Sequence, residues 1–368
     1  MKWYLFLVII CSFSFFISCT DKKEQIIQVE QTLTFDATHV DTLLCKAIEQ
    51  INFLALEITE DSEIYGVNKM VIKNKLIYMG DFHSGKIVVY DMNGKLKFIL
   101  NRKGEGPQEY LELKSFAVDE QNIYTLDNYR HMINVYNCHT GVFKQSKKLS
   151  FVAWDLEVLD NNHFIFAFIP MEGVRVNVEQ PPYKIFVTDK DFEITHKYFK
   201  YGQDEYEFVG KMTYFTSLGD KVIFSSMDLD NFTVFYGNSL KHVAINFADK
   251  IPDKYRKDRK RILEGGYNYI SQTPILCKSY VAFEFSVGDN LISYIYDENT
   301  KSFLSNADIN SFNYLFQPIV SYQNQLVSYL DNYSLYEEVA GTGFVKAPSA
   351  IEHHLQNEGA ILIFYAMR

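Results

Sequence analysis

The densest grouping of side chains able to hold a metal or move a proton is Glu352-His353-His354, with Glu358 close behind. Imidazoles and carboxylates together can ligate a divalent ion. Adjacent histidines point apart on a helix, so a solvated surface pair is the expected role, and no metal ligand is assigned. Aspartates form a second set: Asp81, Asp127, Asp228 or Asp230, and Asp331. Each falls near the end of a strand-like segment, where a carboxylate ordinarily caps a turn. Converging at one mouth, they would instead make an oxygen-ligand Ca²⁺ site. That is the one cofactor the sequence leaves open; none is otherwise expected. A third set is basic: Lys254, Arg256, Lys257, Arg259, Lys260 and Arg261, within 251–267. It reads as a solvated helix face near surface acids, the alternative being a contact to phosphates or lipid headgroups. No G-x-S-x-G elbow, Walker A loop, H-E-x-x-H or G-x-G-x-x-G occurs, so no nucleophile, phosphate cradle or zinc site can be named.

The elements that would position these residues repeat along the chain. Tyr78 and Tyr124, Asp81 and Asp127, and Tyr90 and Tyr136 are each 46 residues apart, and Gly94 and Gly141 are 47 apart. Both units read as short strand, turn, short strand, turn, rich in β-branched and aromatic residues. Asn93-Gly94 suits a tight hairpin that needs positive φ. Fainter copies follow, with late-strand positions at Tyr90, Tyr136, Thr188, Tyr236, Tyr296 and Phe364. A step near 45–50 residues with four strands is the period of a propeller blade. The connections lack helical crossovers, so parallel pairing is not expected. The spacing therefore predicts an all-β, six-bladed propeller with four-stranded blades. The strand-like segment 52–58 has no partner of its own and is expected to pair with the C-terminal strand as the outer strand of the last blade. Short helical insertions are expected within 251–267, ending at Gly265-Gly266, and within 345–358, with Ser349 as cap. Two stacked β-sandwiches are the alternative fold.

Composition agrees. The chain has 368 residues and a net charge of −10, or −11 once the first 18 residues, with their single Lys2, are removed. The acidic balance excludes a basic nucleic-acid footprint. At 47% hydrophobic and 22% charged the chain is not disordered. Aromatics make up 16% of it, expected mostly as blade-to-blade packing.

Met1-Lys2 and the apolar run 3–17 have the form of a secretory signal. Phe16-Ile17-Ser18-Cys19 looks like a bacterial lipobox, which makes Cys19 the lipidated first residue of the mature protein. The expected organisation is a signal peptide over 1–18, a lipidated tether over 19–39 and the propeller over 40–368. After processing, Cys45, Cys138 and Cys277 remain. An odd number without a C-x-x-C argues for small buried hydrophobes rather than a disulfide framework.

The loop Asn101-Arg102-Lys103-Gly104-Glu105-Gly106-Pro107-Gln108-Glu109-Tyr110, together with the flanking repeat, resembles the G-x-G-P-x-E-[YF] signature of six-bladed β-propeller lipoproteins of Bacteroidetes. These are related in shape to NHL-repeat and TolB-like propellers. The resemblance covers roughly 40–368. It departs at Asn101, where an aliphatic-Gly start is usual. It implies a fold and a cell-envelope location, on the outer membrane, rather than a chemistry.

Read physically, Gly104 and Gly106 supply positive φ, Pro107 stiffens the turn, and Glu109 accepts backbone N–H groups. Arg102, Lys103, Glu105 and Glu109, with Tyr129, Arg130 and Asp230 on loops 127–131 and 228–232, are the candidate ligand-facing residues. The expected function is binding of a ligand, glycan or partner protein at the envelope, with the membrane reached through the lipid, no nucleic acid bound and no catalysis. The alternative is a lactonase-, lyase- or hydrolase-like propeller with a metal in its channel.

Overall fold

The computed structural model describes residues 27–40, 47–171, 180–202, 211–226, 230–237, 239–256, 258–288, 290–305, 316–340 and 345–368. Six sheets, each built on four antiparallel strands, follow one another along the chain. Blade one comprises Lys69–Lys73, Leu76–Asp81, Lys86–Asp91 and Leu96–Asn101. Blades two, three and four begin with inner strands Ser115–Val118, Asp155–Val158 and Phe215–Leu218. Blades five and six begin with Ile275–Cys277 and Pro318–Tyr322. Each inner strand lies against the next, and the sixth lies against the first, which closes a ring. All six late-strand positions expected from the repeat fall in third strands.

Closure follows the expected route. Ile48–Leu56 pairs antiparallel with Ala360–Met367, in the register Asn52↔Phe364 and Leu56↔Ala360. The strand starts and ends earlier than the 52–58 expected. The core is not one body but six seams, each a cluster of buried side chains shared by two neighbouring blades. Cys138 and Cys277 are buried free thiols within these seams. Burial pushes the Cys277 thiol up to about 12. Cys45 lies outside the described residues.

The tether expectation needs correction. Residues 29–35, assigned to the tether, form a strand that pairs parallel with Ser239–Phe247, from Val29↔His242 to Phe35↔Phe247. Blade four therefore has five strands, one of them in the parallel pairing that the short connections argued against. Phe35 is fully buried, with ring centroids of Phe285 and Tyr294 each 4.8 Å away. Burial of Leu33 and Phe35 gives this short polar strand the apolar contacts it needs to stay docked.

Both expected helical insertions are present, and a third helix joins them. The segment 251–267 holds a 3₁₀ turn, Asp253–Tyr255, and a short helix α1, Arg259–Glu264, capped by Asp258 and ending at Gly265. An unforeseen helix α2, Tyr333–Val339, is capped by Asn332. Helix α3, Ser349–Gln356, follows Pro348, so Ser349 is its first residue and not its cap. Buried Tyr336 ties α2 to α3: its hydroxyl donates to Glu352 at 2.9 Å and accepts from the Ala347 N–H at 2.7 Å. Among the described residues no helix is long and apolar enough to cross a membrane.

Strand direction sorts the connections. Successive antiparallel strands reverse, so the links between blades and between second and third strands share one end, the loop face. The short first-to-second and third-to-fourth turns share the other, the turn face. The 46-residue repeat shows in the turn-face backbone: Gly94 and Gly141 take φ of +77° and +67°.

Candidate functional site

Three places on this frame gather polar side chains. The first is the axis. Lys69, Ser115 and Asp155 are the opening residues of three successive inner strands, so the ring points them at one another. Lys69 Nζ donates to Asp155 at 3.1 Å and to the Leu156 carbonyl at 2.8 Å, and lies 3.5 Å from Glu157. The Ser115 hydroxyl donates to the same carboxylate. The other Asp155 oxygen accepts the N–H groups of Tyr214 and Phe215, on blade four, at 2.7 and 3.0 Å. One buried carboxylate thus joins four blades. Burial opposes the Lys69 charge, but Asp155 and Glu157 outweigh it and hold its pKa above 10.5. Burial raises that of Glu157. With its lone pairs occupied, Asp155 fastens rather than abstracts protons. The void beside this cluster is about 30 Å³, room for a water or two. Sequence reasoning missed this cluster. The available signal was the alternation in Trp154-Asp155-Leu156-Glu157-Val158, which puts two acids on one face of a strand.

The second place is the loop 101–110. Arg130 Nη1 donates to the Gly106 and Glu109 carbonyls, each at 3.1 Å, and Nη2 to that of Gly104 at 3.4 Å. Asp127 accepts the Arg130 and Leu111 N–H groups. The Tyr110 side chain is fully buried, with its hydroxyl on the Gly85 carbonyl at 2.8 Å. The Glu109 carboxylate accepts the Gly106 N–H at 2.8 Å. The glycines are needed for a different reason from the one expected. Neither lies in the left-handed region. At Gly104 a Cβ would collide with the Glu109 carboxylate, and at Gly106 it would meet the same oxygen at 3.0 Å. Glycine here leaves room for the Glu109 carboxylate, and positive φ plays no part.

The structure thus brings Gly104, Gly106, Glu109 and Arg130 into one clamp. Arg102, Lys103, Glu105 and Pro107 on this loop are exposed, as is Tyr129. Asp230 is apart from them on blade four, paired with Arg256. Arg256 also pairs with Asp253, and Lys260 lies 4.0 Å from Glu264, so these cations of the basic segment have acidic neighbours. Lys257, Asp228 and Cys19 lie outside the described residues. Asp81 caps a turn: it accepts the N–H groups of Tyr65, His83 and Ser84. Among the described residues no three His, Cys, Asp or Glu side chains are placed to share a metal ion.

The third place is a cavity of about 550 Å³ on the loop face, in the seam between blades six and one. The segment after Ile48–Leu56, the start of α2 and the end of α3 wall it. Tyr90, Tyr329 and Tyr333 are among its lining residues, together with the acidic Glu63, Asp331 and Glu358. Gln356 Nε2 holds the Tyr333 hydroxyl at 2.8 Å. Burial, and then the neighbouring Asp331 carboxylate to which it is hydrogen bonded, push the Tyr329 hydroxyl far above its ordinary pKa. Of this set, sequence singled out Asp331 as a turn cap, Glu358 as a neighbour of the histidine pair and Tyr90 as a late-strand position, but nothing in it brought them together.

The same ring is found in a Bacteroides fragilis protein solved as a "putative exported protein". It is 17% identical, covers 92% of this chain and all of its own, and has a TM-score of 0.75. At that identity the likeness shows the fold alone. A member of the DUF4221 family from Bacteroides vulgatus is 12% identical over 68% of this chain and 83% of its own, with a TM-score of 0.43. BamB from Moraxella catarrhalis is 12% identical over 70% and 66%, with a TM-score of 0.37. Neither bears on function at such scores. No curated protein matches the chain. The profile of a domain of unknown function, DUF4934, matches residues 25–358, nearly all of the six-bladed ring, and the chain belongs to that family.

Proposed function

We propose that this protein is exported, anchored in the cell envelope by lipid on Cys19, and acts by binding a ligand at its loop face. Strand direction is the observation that carries the reading. Val29–Phe35 runs parallel to Ser239–Phe247, which rises from its turn-face hairpin at Tyr236 toward the loop face. The chain therefore joins the propeller from the turn face, and the cavity between blades six and one opens at the opposite end. Nine residues lie between Cys19 and Val29, so the ten steps reach at most about 35 Å. A lipid at Cys19 would hold the turn face toward the bilayer and leave the cavity facing away from it. The lipobox, the apolar leader before it and the exported structural relative support the same reading.

The test uses lipidated protein in vesicles containing a lipid-borne quencher. A fluorophore on Tyr236→Cys, at the turn face, should be quenched, and one on Tyr129→Cys, at the loop face, should not. Equal or reversed quenching would defeat the orientation. Cys19→Ala should release the protein from the membrane fraction or block its maturation; normal processing and full membrane retention would defeat the anchor.

A further inference from the structure

The seam cavity exists because the repeat is broken on both sides of it. In blade one Asp81 accepts the Tyr65 N–H, and in blade two Asp127 accepts the Leu111 N–H. Tyr65 and Leu111 are 46 residues apart, the blade period, so the residues before them, Ile64 and Tyr110, are equivalent. Tyr110 plugs the seam between blades one and two, fully buried, its hydroxyl on Gly85 in a tight turn. At the seam between blades six and one the plug position is Ile64, which lines the cavity. The facing connection is no longer a tight turn but the long segment 331–359, carrying α2 and α3. A smaller plug and a wider connection at the same place open a built site rather than a packing flaw.

Its lining has one sign of charge. None of the sixteen lining residues is Lys, Arg or His, while Glu63, Asp331 and Glu358 are acidic and, among the described residues, belong to no ion pair. Glu352, on α3 and outside the lining, is paired with Lys346 at 3.5 Å. Tyrosine rings beside unpaired carboxylates attract a cation through both the ring quadrupole and the field of the acids, and repel anions.

We propose that this cavity receives a small organic cation, a primary or quaternary amine, with its charge against the carboxylates and its carbon chain against the tyrosine rings and Met79. This rests on the reading that the protein binds a ligand at its loop face. The probes are hexylamine, spermidine and choline, with 1-hexanol and maltotriose as neutral controls. Binding is read by titration calorimetry at low and moderate salt on the full-length mature chain.

At least one amine should bind, at least tenfold more tightly than 1-hexanol, and weaken as salt rises. Glu63→Gln with Glu358→Gln should weaken it at least tenfold. Ile64→Tyr, which restores the plug used one blade on, should abolish it at unchanged melting temperature. If Ile64→Tyr unfolds the chain, Ser334→Trp serves as the blocking variant. Neutral probes that bind as tightly as the amines, and are lost on blocking, would overturn the cation assignment and leave the cavity a binding site. Amines bound as tightly by the blocked variants as by wild type, or no amine bound at millimolar concentration, would overturn the proposal. The membrane-orientation test above stands apart from all of these outcomes.

Discussion

Replacing Asp155 should cost more stability than any exposed residue of the loop face, and its amide variant should be nearly as damaging as its alanine variant. Asp155→Ala strips the carboxylate from buried Lys69, from the Ser115 hydroxyl and from the Tyr214 and Phe215 N–H groups. Removing one partner of a buried ion pair costs about 3–5 kcal/mol. Each orphaned N–H adds on the order of 1–3 kcal/mol. Glu157, 3.5 Å from Lys69, keeps part of the Lys69 charge compensated, so the terms overlap and a total of about 3–5 kcal/mol is expected. A chain of 368 residues has an unfolding entropy near 0.8 kcal/mol/K, so the melting temperature should fall by about 4–6 °C. Asparagine is normally the gentle substitution. Here one carboxylate oxygen faces Lys69 and Ser115 and the other faces two backbone N–H groups, so an amide NH₂ must confront donors on either side. Asp155→Asn should therefore approach the loss seen for alanine. Thermal and denaturant unfolding of wild type, Asp155→Ala, Asp155→Asn, Lys69→Met and the Lys69→Met/Asp155→Ala double variant measures this. A coupling above about 1 kcal/mol is expected for residues in direct contact. An Asn variant within about 1 °C of wild type, or strictly additive Lys69 and Asp155 losses, would refute the view that this carboxylate fastens the blades.

The remaining expectations are smaller in scope. Burial opposes the Lys69 charge and its two acids outweigh that, so its folded pKa lies above 10.5. The resulting stabilisation is fully present below the unfolded value of 10.5 and fades as pH rises through the folded one. The stability gap between wild type and Lys69→Met should thus stay flat from pH 7 to 9 and narrow above about 10.5, as denaturation at each pH will report. Phe35→Ala should cost about 3–5 kcal/mol and free Val29–Phe35, seen as rapid hydrogen exchange or proteolysis in that segment alone. Gly104→Ala should push the Glu109 carboxylate off the Gly106 N–H and destabilise by about 1 kcal/mol, and in a Glu109→Ala background the same substitution should cost less. A Gly104→Ala variant as stable as wild type would show that the loop gives way freely.

What could be read from the chain was what repeats locally. The 46-residue offsets of Tyr78, Asp81 and Tyr90 defined hairpins, because alternation and turn residues act between near neighbours. The unpaired segment at 52–58 announced ring closure, since a strand without a partner must find one. Arg130 and Glu109 could be named from their separate loops, but not the clamp they form, which depends on which carbonyls the fold turns toward the guanidinium. Val29–Phe35 could not be placed: only Leu33 and Phe35 face inward, and its partner begins at Ser239, some two hundred residues away. Lys69, Ser115 and Asp155 look unrelated in sequence and meet only because three inner strands surround one axis. The cavity required both ends of the chain, since Ile64 and the helices at 333–356 adjoin only after the last blade docks on the first. Local patterning determines strands and turns because their interactions span a few residues. The ring alone decides which charges share a dielectric and where a seam stays open, because those contacts are made between blades.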